Sequence, residues 1–134
     1  MTQPPPDTRP FRVLAIESLG RDMRIVRIAP ADGGRFAFAA GQYVRLHLAP
    51  GLQRDYSIAS APEPDASAAS IEFHVRLSGG AGSRYIAERL AVGDVLQVEG
   101  PLGTAFWRSR HTGLALLVAG GSGLAPMLAI AEAA

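Results

Sequence analysis

The most informative stretch of the chain is RDYSIAS, residues 54–60, which brings a guanidinium, an aromatic ring and a hydroxyl together in one short segment. Side chains alternate between the two faces of a strand, so Arg54 and Tyr56 should share one face and Asp55 and Ser57 the other. A bend at the strand end would bring Ser57 round to the same ligand. A flavin nucleotide needs a cation for its phosphates, an aromatic surface for its ring and a hydrogen-bond partner near the ring's redox-active nitrogen. The segment suits that task, although an ordinary amphipathic strand has the same pattern.

A second candidate site is LSGGAGSRYI, in which a glycine-rich loop leads into a predicted helix over residues 83–91 with Ser83 as its N-cap. The N-terminus of a helix presents unpaired N–H groups, and glycine lets an oxygen-rich anion approach them closely. Gly80, Gly82 and Ser83 are therefore candidate ligands of a diphosphate. A glycine-rich hairpin with a simple serine cap is the alternative.

A third candidate is AGGSGLAP, residues 119–126, between a predicted buried strand at 114–120 and a predicted helix at 125–134. A glycine loop between a strand and a helix is the usual setting of a dinucleotide site. Pro126 stands where the last glycine of the dinucleotide fingerprint would fall, and proline is tolerated in the first turn of a helix. The candidate ligands here are Gly120, Gly121, Ser122 and Gly123.

Composition excludes several classes of function. The chain has 134 residues, no cysteine, three scattered histidines and a net charge of +1. It is long enough for one domain with a real core, and we expect no disulfide, no metal site and no cysteine-held iron–sulfur cluster. The small net charge argues against a nucleic-acid binder.

The two ends of the chain have distinct character. Residues 1–10 contain four prolines and lack the apolar core of a signal peptide, so we expect a flexible tail and a cytoplasmic protein. Residues 113–134 are apolar and long enough to span a bilayer. Their central glycines and Pro126 favour a strand–loop–helix unit over a membrane helix.

The segment between these ends reads as mostly β structure. Six short runs with turn residues between them predict strands at 11–18, 24–30, 42–50, 54–60, 71–77 and 94–100. Six antiparallel strands with one helix before the last predict a small closed barrel, because closure removes exposed sheet edges. The expected fold is all-β over residues 11–110, followed at 111–134 by the first β–α unit of an α/β nucleotide-binding domain.

The order of these motifs is more specific than any one of them. Arg-x-Tyr-Ser is followed by His74-Val75-Arg76, then by GGAGS, by GPLG at 100–103 and by the strand that leads into GGSGLAP. From about residue 11 to its end, the chain resembles the ferredoxin–NADP reductase superfamily. It is most similar to reductase components of bacterial ring-hydroxylating dioxygenases, the naphthalene dioxygenase reductase type in particular.

The resemblance implies a six-stranded Greek-key barrel that binds FAD, with hydride accepted from NADH or NADPH and single electrons passed to an iron–sulfur protein, a ferredoxin or an oxygenase component. It also implies roles for the residues named above. Arg54 would hold the diphosphate, Tyr56 would pack on the isoalloxazine and Ser57 would bond near N5, so Tyr56 and Ser57 are the expected catalytic residues. The segment of His74, Val75 and Arg76 would lie along the ribityl and phosphate portion. The glycine loop from Gly120 to Gly123 would receive the nicotinamide nucleotide.

Two departures from that pattern shape the expectation. The absence of cysteine means that the iron–sulfur acceptor is a separate molecule. Only one strand and one helix are predicted after the barrel, whereas a nucleotide domain needs several parallel strands, so the chain looks truncated. We expect the barrel to fold and bind FAD by itself, with efficient NAD(P)H oxidation requiring further residues. The alternative is a non-enzymatic β-barrel that binds a flavin or a protein.

Overall fold

The computed structural model describes residues 8–108, 110–118 and 124–134. The elements in this part of the chain are β1 (Thr8–Leu19), β2 (Met23–Pro30), β3 (Phe36–Ala37), β4 (Tyr43–Ala49), β5 (Leu52–Ser57), β6 (Ser67–Ala68), β7 (Ile71–Arg76), α1 (Ala81–Glu88), β8 (Val95–Leu102) and α2 (Leu124–Ala133). Residues 1–7, most of the predicted tail, lie outside the described residues.

Six of these strands form one antiparallel sheet in the order β5-β4-β8-β1-β2-β7. They correspond to the six strands predicted from the sequence, so the mostly-β antiparallel architecture is confirmed. The short strands β3 and β6 form a separate pair that the sequence did not predict.

The large sheet is strongly curled, which brings its two end strands together. A flat sheet of six strands would hold its ends about 24 Å apart at roughly 4.8 Å per strand. Instead, the ring of Tyr56 on β5 stacks on the ring of Phe73 on β7, with centroids 5.3 Å apart. Just beyond β5, the backbone N–H of Ala59 donates to the carbonyl of Glu72 on β7 at 2.7 Å. The two end strands are therefore in contact at Tyr56 and just beyond the end of β5, at Ala59.

The inner face of the curled sheet encloses the core. Along β4, buried and partly buried residues alternate strictly, and Val44 and Leu46 are fully buried. Phe11, Val26, Ile28, Ile58, Phe73 and Val98 belong to the same apolar cluster. This alternation is the period-two pattern from which the strands were predicted.

Several predicted boundaries need correction, among them that of the strand predicted over 54–60, which runs from Leu52 to Ser57. The first strand begins at Thr8 rather than residue 11, because Thr8 and the residues after it pair with β8. The helix predicted over 83–91 runs from Ala81 to Glu88, and its N-cap is Gly80 in an extended conformation. Ser83 is thus inside the helix, where its hydroxyl donates to the Gly80 carbonyl at 3.2 Å instead of capping the helix.

The predicted strand at 114–120 is wrong over the residues that the structure describes. Residues 114–118 have no regular secondary structure, and the side chains of Leu114, Leu116 and Val118 are 95%, 85% and 78% exposed. An apolar run becomes a strand only when neighbouring strands take up its backbone hydrogen bonds, and no described element does so here. Residues 119 and 120 lie outside the described residues.

The helix predicted at 125–134 is present as α2, one residue earlier in the chain. It packs against the barrel through Ala129 and Ile130, which join Ala40 and Trp107 in a small second apolar cluster. None of the helices in the described ranges has the length and apolar character that crossing a membrane requires.

Candidate functional site

An open cavity of about 280 Å³ lies where β5 and β7 diverge, next to the first turn of α1. Its lining residues are Arg54, Asp55, Tyr56, Ser57, His74, Arg76, Ser78, Gly80, Gly82, Ser83 and Ala125. Eight of these were predicted from the sequence as candidate ligands, in three segments over residues 54–57, 74–76 and 80–83. The fold thus places the RDYS segment, the β7 segment and the glycine loop around one space.

The register between β4 and β5 fixes the direction of the RDYS side chains. Arg54 pairs with Leu46 and Tyr56 pairs with Val44, both of which face the core, whereas Asp55 pairs with the outward-facing Arg45. The prediction that Arg54 and Tyr56 share one face is therefore confirmed. Ser57 is the last residue of β5, half-buried at the point where the strand ends.

Arg54 crosses from β5 to the glycine loop and lies against Gly82 in the first turn of α1. A Cβ atom built on Gly82 would be 2.4 Å from the Arg54 Cγ and 2.9 Å from its Nε. The missing side chain of Gly82 is therefore what allows the guanidinium to lie beside the helix N-terminus. The Arg54 Nη1 donates to the carbonyl of Gln53 at 2.7 Å.

The N-terminus of α1 is a second source of positive potential. The first turn contains no acidic residue, and the N-cap Gly80 makes no side-chain cap hydrogen bond. The first intrahelical bond runs from Arg84 N–H to the Gly80 carbonyl at 2.9 Å. The N–H groups of the three preceding residues have no intrahelical acceptor, which is the usual arrangement for binding an anion.

Tyr56 presents a neutral aromatic surface at the cavity. Its ring stacks on the fully buried Phe73 at an interplanar angle of 19°. Burial raises the pKa of the Tyr56 phenol above 10.0, and the nearby Arg54 charge offsets part of that rise. The phenol therefore stays protonated at neutral pH and is available as a hydrogen-bond donor.

The β7 segment contributes in two different ways. The backbone carbonyl of Glu72 accepts from the Ala59 N–H, and the Glu72 N–H donates to the Ser60 hydroxyl, so both backbone groups of Glu72 point away from β2. The N–H of Leu77 instead donates to the carbonyl of Asp22, just before β2, and so points toward β2. Because an antiparallel strand alternates its hydrogen-bonding direction, the backbone groups of His74 point toward the cavity side.

The side chain of Val75 is fully buried in the core and does not line the cavity. It was predicted as a ligand, and its side chain is instead a packing residue. His74 and Arg76 present their side chains at the cavity wall.

The predicted ligands Gly120, Gly121, Ser122 and Gly123 lie outside the described residues. Ala125, in the first turn of α2, does line the cavity and is 3% exposed. Ala125, Asp55 and Ser78 line the cavity but were not predicted as site residues. Their residue types carry no signal for binding, although Ala125 closely follows the predicted glycine loop in sequence.

A larger cavity of about 790 Å³ lies between the loop at residues 62–66, residues 106–110 and the end of α2. It is lined by Phe38, Pro62, Pro64 and Trp107 among others and contains none of the predicted site residues. The larger cavity also contains Arg108 and Arg110, but these are accompanied by Glu63 and Glu132 and by the C-terminal end of α2. The smaller cavity is the one of the two that combines cationic and aromatic groups with a helix N-terminus, which suits an anion with an aromatic portion.

Comparison with known proteins identifies the family of the chain. The family described as "Oxidoreductase FAD-binding domain" matches residues 10–107. The chain is 40% identical over 123 residues to the ferredoxin–NAD(P)(+) reductase component of the naphthalene 1,2-dioxygenase system of Pseudomonas putida. That alignment covers 91% of this chain and 36% of the relative, so the chain spans about a third of the length of that protein.

Solved structures give the same result. A ferredoxin reductase of carbazole 1,9a-dioxygenase is 29% identical, with a TM-score of 0.82 over 95% of this chain and 38% of the other. A cytochrome P450 reductase from Amycolatopsis is 35% identical, with a TM-score of 0.80 over 94% of this chain and 39% of the other. The family match covers most of the chain, and the motifs gathered at one cavity are consistent with it. The chain therefore belongs to the family of oxidoreductase FAD-binding domains.

Proposed function

We propose that the cavity between β5 and β7 binds FAD, and that the chain is the flavin-binding portion of an NAD(P)H-dependent electron-transfer reductase. One observation carries this proposal. The guanidinium of Arg54, the unpaired first turn of α1 and the neutral ring of Tyr56 line the same cavity. A flavin dinucleotide has a diphosphate and an aromatic ring system, and these groups match the two kinds of surface.

The proposed ligands divide by the part of FAD that they would hold. Arg54, together with the backbone of Gly80, Gly82 and Ser83, would bind the diphosphate. Tyr56 and Ser57 would contact the isoalloxazine, with the Ser57 hydroxyl as a hydrogen-bond partner near N5. His74 and Arg76 would lie along the ribityl and phosphate portion, where the β7 backbone also offers hydrogen-bonding groups. Val75 would support this wall from the core.

Bound FAD would supply the chemistry that links a two-electron donor to a one-electron acceptor. The residues of this chain would hold the ring and its phosphates in place and adjust the electrostatic environment, which requires no acid–base triad. Tyr56 and Ser57 are the groups we place beside the reacting ring.

The donor and acceptor are part of the same proposal. We propose that NADH or NADPH is the co-substrate and that an iron–sulfur protein, a ferredoxin or an oxygenase component, accepts the electrons. The P. putida relative is named as a ferredoxin–NAD(P)(+) reductase component of a dioxygenase system, which supports both assignments. Because the chain covers 36% of that relative, we expect this chain alone to bind FAD without efficient oxidation of NAD(P)H.

The finer architecture also belongs to this proposal. We propose that residues 11–110 are a Greek-key barrel and that residues 111–134 begin a nucleotide-binding domain. The non-sequential neighbours β4-β8-β1 in the sheet support the first assignment. The packing of α2 beside the cavity through Ala125 supports the second.

Titration of the purified chain with FAD, followed by flavin fluorescence and calorimetry, tests the proposal. We expect saturable binding that the Arg54→Ala substitution weakens by about tenfold or more, the range of a charge-assisted hydrogen bond. Arg21→Ala, which removes an exposed arginine in the β1–β2 turn, is the matched control and should bind as the wild type does. Absence of flavin binding by the folded wild-type chain, or equal affinities for all three proteins, would contradict the proposal.

The rival function is a β-barrel module that binds flavin or protein without turnover. The two are separated by adding NADH or NADPH to the FAD-loaded chain in the absence of oxygen and comparing the bleaching of its flavin absorbance with that of free FAD. Bleaching faster than that of free FAD supports a reductase. A flavin that stays oxidised with either nucleotide supports the binding module.

A further inference from the structure

We propose that Arg45 is a positioning residue of the cofactor site, because it fixes and neutralises the carboxylate of Asp55, which the strand register places on the outer face of the sheet beside the cavity. This inference rests on the proposed binding of FAD. Arg45 itself does not line the cavity, and neither the motif Arg-x-Tyr-Ser nor the glycine loop includes it.

The need for such a residue follows from the charge of the cavity. Asp55 lies between Arg54 and Tyr56 on β5, and it is the one acidic residue among the described residues that line the cavity. β5 is an end strand of the sheet, so its outward side chains are close to the open edge where the cavity lies. A carboxylate without a partner beside the cavity would add negative potential there and would repel a diphosphate.

Arg45 restrains both oxygens of that carboxylate. Arg45 and Asp55 are directly opposite each other in the β4–β5 register. The Arg45 Nε donates to Asp55 Oδ1 at 2.8 Å, and its Nη2 donates to Oδ2 at 3.3 Å. Two parallel bonds fix the orientation of a carboxylate as well as neutralising it.

A second carboxylate holds Arg45 from the other side. The Arg45 Nη1 is 3.6 Å from Glu99 Oε2 on β8, and the other oxygen of Glu99 contacts His47 Nε2. Arg45 thus lies between carboxylates on two neighbouring strands and has little freedom to leave Asp55. Hydrogen bonding to Asp55 also raises the pKa of Arg45, so its charge is constant across the pH range of binding experiments.

The test compares FAD dissociation constants for four proteins: the wild type, Arg45→Met, Asp55→Asn and the double variant. Methionine keeps an unbranched apolar side chain and removes the charge. We expect Arg45→Met to weaken FAD binding by about three- to tenfold at low ionic strength, the size expected for partly exposed charges. We expect Asp55→Asn to bind as tightly as the wild type or more tightly, and the double variant to recover wild-type affinity. The loss in Arg45→Met should also shrink as salt is added.

A purely structural role for Arg45 would give a different pattern. The double variant would then bind no better than Arg45→Met, and salt would not restore the affinity; either result overturns the inference, as does wild-type affinity in Arg45→Met. Arg27→Met, which removes the same charge from a cross-strand pair with Glu72 outside the cavity, is the matched control and should retain FAD affinity. Failure of the wild type to bind FAD would instead contradict the proposed function.

Discussion

The side chain of Arg54 on β5 lies against the Cα atom of Gly82 in α1, at a distance that leaves no room for a Cβ atom. This contact links the arginine of the RDYS segment to the first turn of the only helix beside the cavity in residues 8–108. It places the guanidinium charge of Arg54 next to the positive end of the helix dipole. The two motifs, separated by more than twenty residues in sequence, therefore form one anion-binding surface.

Gly82→Ala is expected to weaken FAD binding by roughly tenfold, because the new methyl group displaces Arg54 from the helix N-terminus while alanine itself suits a helix. The dissociation constant for FAD measures the effect, and circular dichroism confirms that α1 is retained. If the substitution acts through Arg54, it should have little further effect in an Arg54→Ala background. Equal losses in both backgrounds would show that the methyl group blocks the ligand directly.

The raised pKa of Tyr56 predicts a specific loss of stability at high pH. Burial favours the protonated phenol in the folded state, so this contribution is complete below the unfolded pKa of about 10 and is lost as the pH rises through the folded value. The free energy of unfolding, measured by urea denaturation between about pH 9 and pH 11, should fall more steeply in the wild type than in Tyr56→Phe. Parallel pH profiles for the two proteins would contradict the assignment.

Phe73 is expected to be a large contributor to stability, because it is fully buried and supports the ring of Tyr56. Phe73→Ala should lower the free energy of unfolding by about 3–5 kcal/mol, through lost burial and the cavity left behind. Leu19→Ala is a useful control, since Leu19 is 56% exposed, and should change it by about 0.5 kcal/mol or less. A loss for Phe73→Ala no larger than that of the control would show that the β5–β7 contact is not part of the cooperative core.

Gly41 is expected to control how α2 packs on the barrel. It has φ of +105°, and a Cβ atom there would be 2.5 Å from the carbonyl oxygen of Ala105 and 3.0 Å from Ile130 Cδ1. Gly41→Ala should separate residues 105–107 and α2 from the barrel, which exposes Trp107 and shifts its fluorescence to longer wavelength. Trp107 is the single tryptophan of the chain, so the emission reports on this contact alone.

The matched control for this experiment is Gly51→Ala. Gly51 also has a positive φ, of +76°, but a Cβ atom there meets nothing within 4 Å. Both substitutions carry backbone strain of about 1 kcal/mol, and only Gly41→Ala adds the steric conflict. Similar tryptophan emission from the two variants would contradict the role given to Gly41.

Much of the sheet follows from local sequence. The alternation in β4 predicted a half-buried strand, and the same period placed Arg54 and Tyr56 on one face of β5, as the register with Val44 and Leu46 confirms. The order of the motifs and the family resemblance selected residues of the RDYS segment, the β7 segment and the glycine loop, and the structure brings these residues to one cavity.

Other features depend on contacts that the sequence does not display. Ser83 is the better N-cap by residue type, but α1 begins two residues earlier, at Ala81, after Gly80 in the extended conformation that any N-cap residue can adopt. Residue type therefore does not set this boundary. The pairing of Arg45 with Asp55 depends on the strand register, and the proximity of Ala125 to the cavity depends on how α2 packs. The predicted strand at 114–118 requires neighbouring strands, so its apolar composition alone was a misleading signal.

The exposed segment at 114–118 has a practical consequence for handling the protein. Leu114, Leu116 and Val118 are apolar, mostly exposed and close in sequence, which is the composition of an aggregation-prone segment. A net charge of +1 provides little electrostatic repulsion between molecules. The chain in its present form is therefore expected to self-associate as its concentration rises, and charged substitutions at these three positions should keep it monodisperse while leaving the barrel intact.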